Sequence, residues 1–280
     1  MISNKRFDNH DGCPTIKIGL IAGRGELPLI LAKQIKKEKF ELIIISLIKD
    51  ARKELQAIAN RFYVFDLGQV QTIIDTFISE GVQQLFMIGK VGKEIIFDTA
   101  RLDSKAKAIL AKLRDKDDNA IMKAIVEELG NTGIKVLDQT QYLSSLLVTK
   151  GVLTKKQPDA KQWLDIEYGM MMAKEIARLN IGQAVVVKDG TVLAVESIEG
   201  TDETILRAGR LGKEGLVVAK TSKFGHDVRF DIPTVGSSTI KTLVKAKAEV
   251  LAIESGKVLI ADKDKMIKEA DRAGIVIVGV

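Results

Sequence analysis

The stretch TIKIGLIAGRGELPLILAKQIKKEKF, residues 15–40, decides the fold. TIKIGLIAG is a short apolar run ending in glycine, the mark of a buried strand. LPLILAKQIKKEKF reads as an amphipathic helix. A buried strand that turns through glycines into a helix is the opening of a β-α-β unit. The same alternation then continues. FELIIISL (40–47) reads as a second strand and RFYVFDL (61–67) as a short third one. VQTIIDTFISEGV (70–82) reads as a helix and QQLFMIGKV (83–91) as the strand after it. Helices over 104–113 and 117–130 precede the strand IKVLD, with Gly130 and Gly133 placed to end the second of them. The expectation for residues 16–137 is a parallel α/β domain with helices on both faces of its sheet.

Past Leu137 the pattern changes. Residues 138–165 are less regular and include TKGVLTKKQPD, a polar run with Pro158, which reads as a linker region. A helix follows over 161–179, with Trp163, Ile166, Met170 and Ile176 on one face as core. QAVVVKDGTVLAVES (183–197) is two β-branched runs joined by Asp189–Gly190, a strong hairpin signal. Strands are expected at 215–219, 249–253 and 257–260, with Ser255–Gly256 as a tight turn, and GIVIVGV supplies a last one. Residues 166–280 therefore read as an α+β domain with a mixed sheet.

Bulk composition narrows the function classes. The chain has 280 residues, 46% hydrophobic and 29% charged, enough for two packed domains. Its one cysteine, Cys13, lies in the polar run SNKRFDNHDGCPT and has no internal partner, so a reducing cytoplasm is expected. Residues 1–15 read as a polar tail without the apolar centre of a signal peptide, and no apolar window is long enough for a membrane-spanning helix. The net charge is +6, spread along the chain. Such a balance favours an anionic substrate or an anionic membrane face. Aromatics are 5% and no basic patch is interleaved with them, which argues against nucleic acid as a partner.

Four stretches carry groups suited to chemistry. In IAGRGELP, Gly23, Arg24 and Gly25 form a turn that can offer backbone N–H groups to a phosphate at a helix start. A tight strand-to-helix turn is the plain alternative. Pro28 replaces the third glycine of the dinucleotide fingerprint, and the second strand ends in Ile45–Ser46 with no acid for a ribose hydroxyl, so an NAD-dependent oxidoreductase is disfavoured. In LRDKDDNAIM, Asp115, Asp117 and Asp118 can bind a metal or a sugar hydroxyl, and helix capping explains them as well. In ESIEGTDETILRAG, Glu196, Glu199, Thr201, Asp202 and Arg207 gather where a strand passes into a helix. In KTSKFGHDVRFDIPTVG (220–236), Lys220 ends a strand and Asp227, Arg229 and Asp231 follow. An extended Val228–Ile232 would put those three on one face by alternation, as a constructed site or as a surface ion-pair ladder. Carboxylates with a cation are what metal-assisted attack on phosphorus uses. No G-x-S-x-G, H-E-x-x-H, C-x-x-C or P-loop signature occurs.

Taken in order, IGLIAGRGELP, the paired aspartates at 117–118, AVESIEGTDETILRAG and K-x-x-K-x-G-x-D-x-R-F-D-I-P-T-V-G resemble the LpxI-type UDP-2,3-diacylglucosamine pyrophosphatases over almost the whole chain. The resemblance implies an N-terminal Rossmann-like parallel α/β domain plus a C-terminal catalytic α+β domain. It implies a Mg2+-dependent hydrolase of lipid A biosynthesis. Such an enzyme cuts UDP-2,3-diacylglucosamine into UMP and 2,3-diacylglucosamine 1-phosphate (lipid X), water attacking the α-phosphorus. Asp227 matches the essential aspartate, with Asp231 as second acid, and these two are the expected metal ligands. The expected substrate contacts are Gly23, Arg24, Gly25, Asp118, Glu199, Thr201, Arg207, Lys220 and Arg229, with Lys220 and Arg207 holding phosphoryl oxygens. The implied setting is cytoplasmic, peripheral to the inner membrane, with a homodimer implied by the family alone. Departures are His226 in place of Gln, Phe224 in place of Pro, and GRG in place of GGG. None removes a carboxylate. The alternative is a non-catalytic nucleotide- or lipid-binding protein, against which the clustered acids argue, since unpaired buried carboxylates cost several kcal/mol.

Overall fold

The computed structural model describes residues 16–49, 53–91, 101–114, 118–223, 225 and 227–280. His10, Cys13, Asp115, Asp117, Phe224 and His226 lie outside the described residues, as does the side chain of Asp118. The chain divides into two units, one ending at Leu137 and the other spanning Asp138–Val280.

The first unit is built on β1 (Lys17–Ala22), β2 (Glu41–Ser46), β3 (Arg61–Val64), β4 (Gln84–Ile88) and β5 (Lys135–Val136). They form a parallel sheet in the order β3-β2-β1-β4-β5. β1 and β2 are buried from their second residue on, which explains why they are unbroken apolar runs rather than alternating ones. Helix α1 (Leu27–Lys37) begins with Pro28 in its first turn, where the missing N–H has no cost, and buries Leu31, Ala32 and Ile35. The short α2 (Lys53–Ile58) precedes β3. In α3 (Val70–Ser79), Val70, Ile73, Ile74 and Phe77 make one buried stripe at helical spacing. Gly19 is in mid-strand because a Cβ there would stand 2.8 Å from Leu85 Cβ and from the Phe77 ring. Helices α4 (Ser104–Lys112) and α5 (Asp118–Asn131) complete the unit.

In the second unit, residues 138–165, read above as a linker, hold helix α6 (Thr140–Leu143), a 3-10 turn (Ser144–Leu146) and strand β6 (Gly151–Val152). Helix α7 (Ala160–Arg178) follows a capping box at Asp159 and Gln162. Strands β7 (Ala184–Lys188), β8 (Thr191–Val195), β9 (Leu216–Lys220), β11 (Ala248–Ile253) and β13 (Val276–Gly279) join β6 in a sheet ordered β6-β13-β11-β9-β7-β8. Its centre, β13-β11-β9, is parallel, while β6, β7 and β8 pair antiparallel, so the expected mixed sheet is present. β10 (Thr234–Val235) and β12 (Leu259–Ile260) form a separate parallel pair.

Helix α7 covers one face of the sheet through Ile166, Met170 and Ala173; Trp163, expected on that stripe, stays 38% exposed one turn earlier. Helices α8 (Thr201–Gly212), α9 (Ser237–Ala246) and α10 (Lys263–Ala273) cover the other through Ile205, Leu243 and Met266. The β7–β8 turn has positive φ at both Asp189 (48°) and Gly190 (72°), the conformation Asp-Gly favours. Asp165 of α7 accepts both turn N–H groups, at 2.8 and 2.7 Å.

Candidate active site

The register of the second sheet gathers polar residues at one end. Lys220 closes β9 opposite Ile253 of parallel β11 and Ala184 of antiparallel β7. Glu196, the residue after β8, donates its N–H to Ala184 O at 2.9 Å, and Glu254, the residue after β11, donates to Lys220 O at 3.0 Å. Glu196, Lys220 and Glu254 thus share the carboxyl end of the parallel strands, where open α/β sheets hold ligands.

Lys220 is a charged residue held only 6% exposed. Its Nζ donates to Thr201 Oγ1 at 3.1 Å, and the Thr201 hydroxyl donates to Glu196 Oε1 at 2.9 Å. The second Glu196 oxygen accepts the Gln183 N–H at 3.2 Å. Thr201 is placed by Gly200, whose φ of +81° turns the chain into α8 without the strain a side chain would add. Further along α8, Arg207 Nη2 donates to Glu199 Oε1 at 2.7 Å and to Val195 O at 2.9 Å. The Glu199 backbone N–H, then the Arg207 guanidinium and the Thr204 hydroxyl, hold the exposed Glu199 carboxyl below the usual range. Arg207 is therefore paired with Glu199.

The stretch Val228–Ile232 is not extended, so the condition for Asp227, Arg229 and Asp231 to share one strand face is not met. The Asp227 carbonyl accepts the N–H of Phe230 at 3.1 Å and of Asp231 at 2.9 Å, and the carboxylate accepts the Arg229 N–H at 3.0 Å. An aspartate that bonds the backbone two residues on favours a turn over a strand. The turn folds Arg229 back onto Asp227, Nε to Oδ1 at 2.9 Å, and this bond raises the guanidinium's already high pKa. Asp231 enters the same turn through its own N–H.

Two buried groups here escaped sequence reading. Glu254 is 7% exposed, and its Oε2 accepts from the Thr221 hydroxyl, from the Ser222 N–H at 3.0 Å and from the Ser222 hydroxyl at 2.9 Å. Its Oε1 pairs with Lys257 Nζ at 2.9 Å. Burial pushes this carboxyl up, and the bonds from Thr221, Lys257 and Ser222 more than offset it, leaving it lowered to about 2. The available signal was an acid directly after the apolar run AEVLAI. Gln139, 2% exposed, donates its side-chain amide to Arg229 O at 3.2 Å and its N–H to Val228 O at 3.4 Å. Nothing local to Gln139 signals that contact.

In the first unit, Gly23 and Arg24 sit where β1 meets β4. Their N–H groups bond Ile88 O at 2.8 Å and Lys90 O at 2.7 Å, so these two donors, offered above to a phosphate, are engaged. A Cβ on Gly23 would stand 2.7 Å from Gly89 C and Lys90 O. Gly25, with φ +112°, faces open space. Asp118 opens α5.

Among the described residues, no group of three or more His, Cys, Asp or Glu is placed to hold a metal. The turn offers Asp227 and Asp231, and Mg2+ is commonly held by one or two carboxylates with substrate phosphates and water completing its shell. The Asp227 carboxylate already accepts four bonds from Arg229, through its backbone N–H, its Nε to both oxygens and its Nη2, so serving an ion requires Arg229 to give up part of it. On that condition, Asp227 and Asp231 supply the kind of donor Mg2+ takes.

The LpxI N-terminal domain family matches residues 17–146 and the LpxI C-terminal domain family matches residues 149–278. A curated relative, the UDP-2,3-diacylglucosamine pyrophosphatase LpxI of Caulobacter vibrioides, is 30% identical over 277 residues, covering 94% of this chain and 97% of that protein. Similarity to solved structures is weak. N5-carboxyaminoimidazole ribonucleotide synthetase of Thermotoga maritima is 15% identical with a TM-score of 0.25, over 66% of this chain and 42% of that one. Biotin carboxylase of Campylobacter jejuni is 15% identical with a TM-score of 0.27, over 70% and 42%. Neither bears on the site. The two domain matches lie in order on the two units of the fold, and the chain belongs to the LpxI family.

Proposed function

We propose that the chain hydrolyses the pyrophosphate of UDP-2,3-diacylglucosamine to UMP and 2,3-diacylglucosamine 1-phosphate, a step of lipid A biosynthesis. The observation that carries this reading is the match to a protein of that named activity along 94% of the chain. In the reaction, water adds to the α-phosphorus, the bond from that phosphorus to the bridging oxygen breaks, and the bridging oxygen leaves on the sugar phosphate. Asp227 is the reacting carboxylate, held in place by Arg229. Lys220, beside Thr201, and Arg207, beside Glu199, are the cations for the phosphoryl oxygens. Thr201 and Glu196 steady the Lys220 ammonium. Asp227 and Asp231 would hold Mg2+, which when bound neutralises charge on the pyrophosphate oxygens. Glu199 and Arg229 complete the proposed substrate contacts of the second unit.

Among the described residues no helix is long and apolar enough to cross a membrane. The net charge of +6 supports peripheral contact with an anionic membrane face. Liposome association that is unchanged between low and high salt counts against the electrostatic part of that contact.

The decisive experiment measures UMP release from UDP-2,3-diacylglucosamine with Mg2+, comparing wild type with Asp227→Ala, both verified as folded. Release by wild type, its loss on chelation and its loss in the variant are expected. A folded wild type that binds the substrate without releasing UMP replaces the hydrolase with a binding module.

A further inference from the structure

We propose that Glu254 and Gln139 are positioning residues that hold, from its two ends, the segment bearing Asp227, a role that rests on the hydrolase reading above. At the leading end, one oxygen of Glu254 receives three donors from Thr221 and Ser222, the first residues past β9. Its other oxygen receives Lys257, so the carboxylate is committed to the chain on both sides. At the trailing end, Gln139 bonds the carbonyls of Val228 and Arg229, inside the turn that Asp227 organises.

The two anchors come from elsewhere in the sequence. Glu254 reaches across 32 residues to Ser222, and Gln139 across 90 residues to Arg229. Both side chains are nearly excluded from water, where an unmade hydrogen bond is costly, so their contacts resist opening. A segment mounted only at Lys220 would swing Asp227 with every loop fluctuation. A segment fixed at both ends delivers the carboxylate to one place, and displacement of a reacting group by about 1 Å costs on the order of 100-fold in rate. Glu254 therefore acts through Thr221 and Ser222 rather than on the substrate.

The test joins kinetics with amide exchange in Glu254→Ala, Glu254→Gln and Gln139→Met. In Glu254→Ala and Gln139→Met, kcat for UMP release is expected to fall about tenfold or more while KM moves less than about twofold. In the same proteins, without substrate, the Phe230 and Asp231 amides are expected to exchange about tenfold faster while those of β9 and β11 do not change. Glu254→Gln keeps an amide oxygen for Thr221 and Ser222 and is expected to retain most of kcat. Unchanged Phe230 and Asp231 exchange in both variants overturns the proposal, as does a fall in kcat without it, which makes the contact with substrate direct. Faster exchange throughout β9 and β11 also overturns it, as general destabilisation. Should Glu254→Ala not fold, Gln139→Met decides from the other end. If wild type releases no UMP, the function falls, and exchange alone decides whether the segment is held.

Discussion

The first unit carries a parallel sheet and the second a mixed sheet with a parallel centre, and the loops at the carboxyl end of those parallel strands are treated in opposite ways. In the first unit, the residues after β1 and β4 close on each other, backbone against backbone, with glycine at 23 and 89 because a Cβ at either would stand within 3 Å of the other loop. Two N–H groups suited to a phosphate are thereby absorbed into the fold. In the second unit, the loops after β8, β9 and β11 meet through side chains, with Glu196, Lys220 and Glu254 between them. A strand order that changes direction at β1 is only an opportunity for a ligand. What decides whether the opportunity is taken is whether the loops meet through backbone or through polar side chains.

That contrast can be broken most sharply at Asp227. Asp227→Ala in the second unit is expected to lower kcat for UMP release by about 100-fold or more, with the fold intact by circular dichroism. The next effect concerns acid stability. Glu254 has a folded pKa of about 2 against an ordinary 4.5, so its contribution is full above pH 4.5 and is lost as pH falls toward 2. The shift corresponds to roughly 3 kcal/mol at most, and urea titrations between those pH values should show a flatter loss of stability in Glu254→Gln than in wild type. Gly23→Ala should destabilise the first unit by about 2 kcal/mol through its clash with Gly89 and Lys90, seen as faster amide exchange in β1 and β4 and not in β9. Lys220→Met should reduce kcat/KM about tenfold, since the ammonium is the cation with a hydroxyl partner in the pocket. Least of all, Glu199→Gln should leave Tm unmoved, because exposed ion pairs such as Glu199–Arg207 contribute little.

Legibility in the sequence followed the range of the interactions. β1, α1 and the Asp189–Gly190 hairpin were readable because apolar period and turn chemistry act within a few residues. Lys220 and Thr201 were readable one by one, as a strand's end and a helix's start, but their 3.1 Å contact was not. The turn at Asp227 was misread because alternation of Val228, Phe230 and Ile232 imitates a strand, while the aspartate's own bond to the Arg229 N–H prevails over it. Glu254 and Gln139 were missed because their partners are supplied by the sheet and not by their neighbours. The 138–165 stretch looked like a linker because β6 is two residues long and takes its meaning from β13, more than a hundred residues later.

The Asp165 contact has a consequence for the order of folding. It joins α7 to the β7–β8 turn across 24 residues. On a chain that emerges from its N-terminal side, the helix is complete before the hairpin appears, and its carboxylate receives the turn's two amides as they form. The hairpin thus has a template in place when it closes. Stopped-flow refolding of Asp165→Ala measures the consequence: a slower folding limb with an unfolding limb little changed marks this contact as part of the nucleus on which the rest of the sheet condenses.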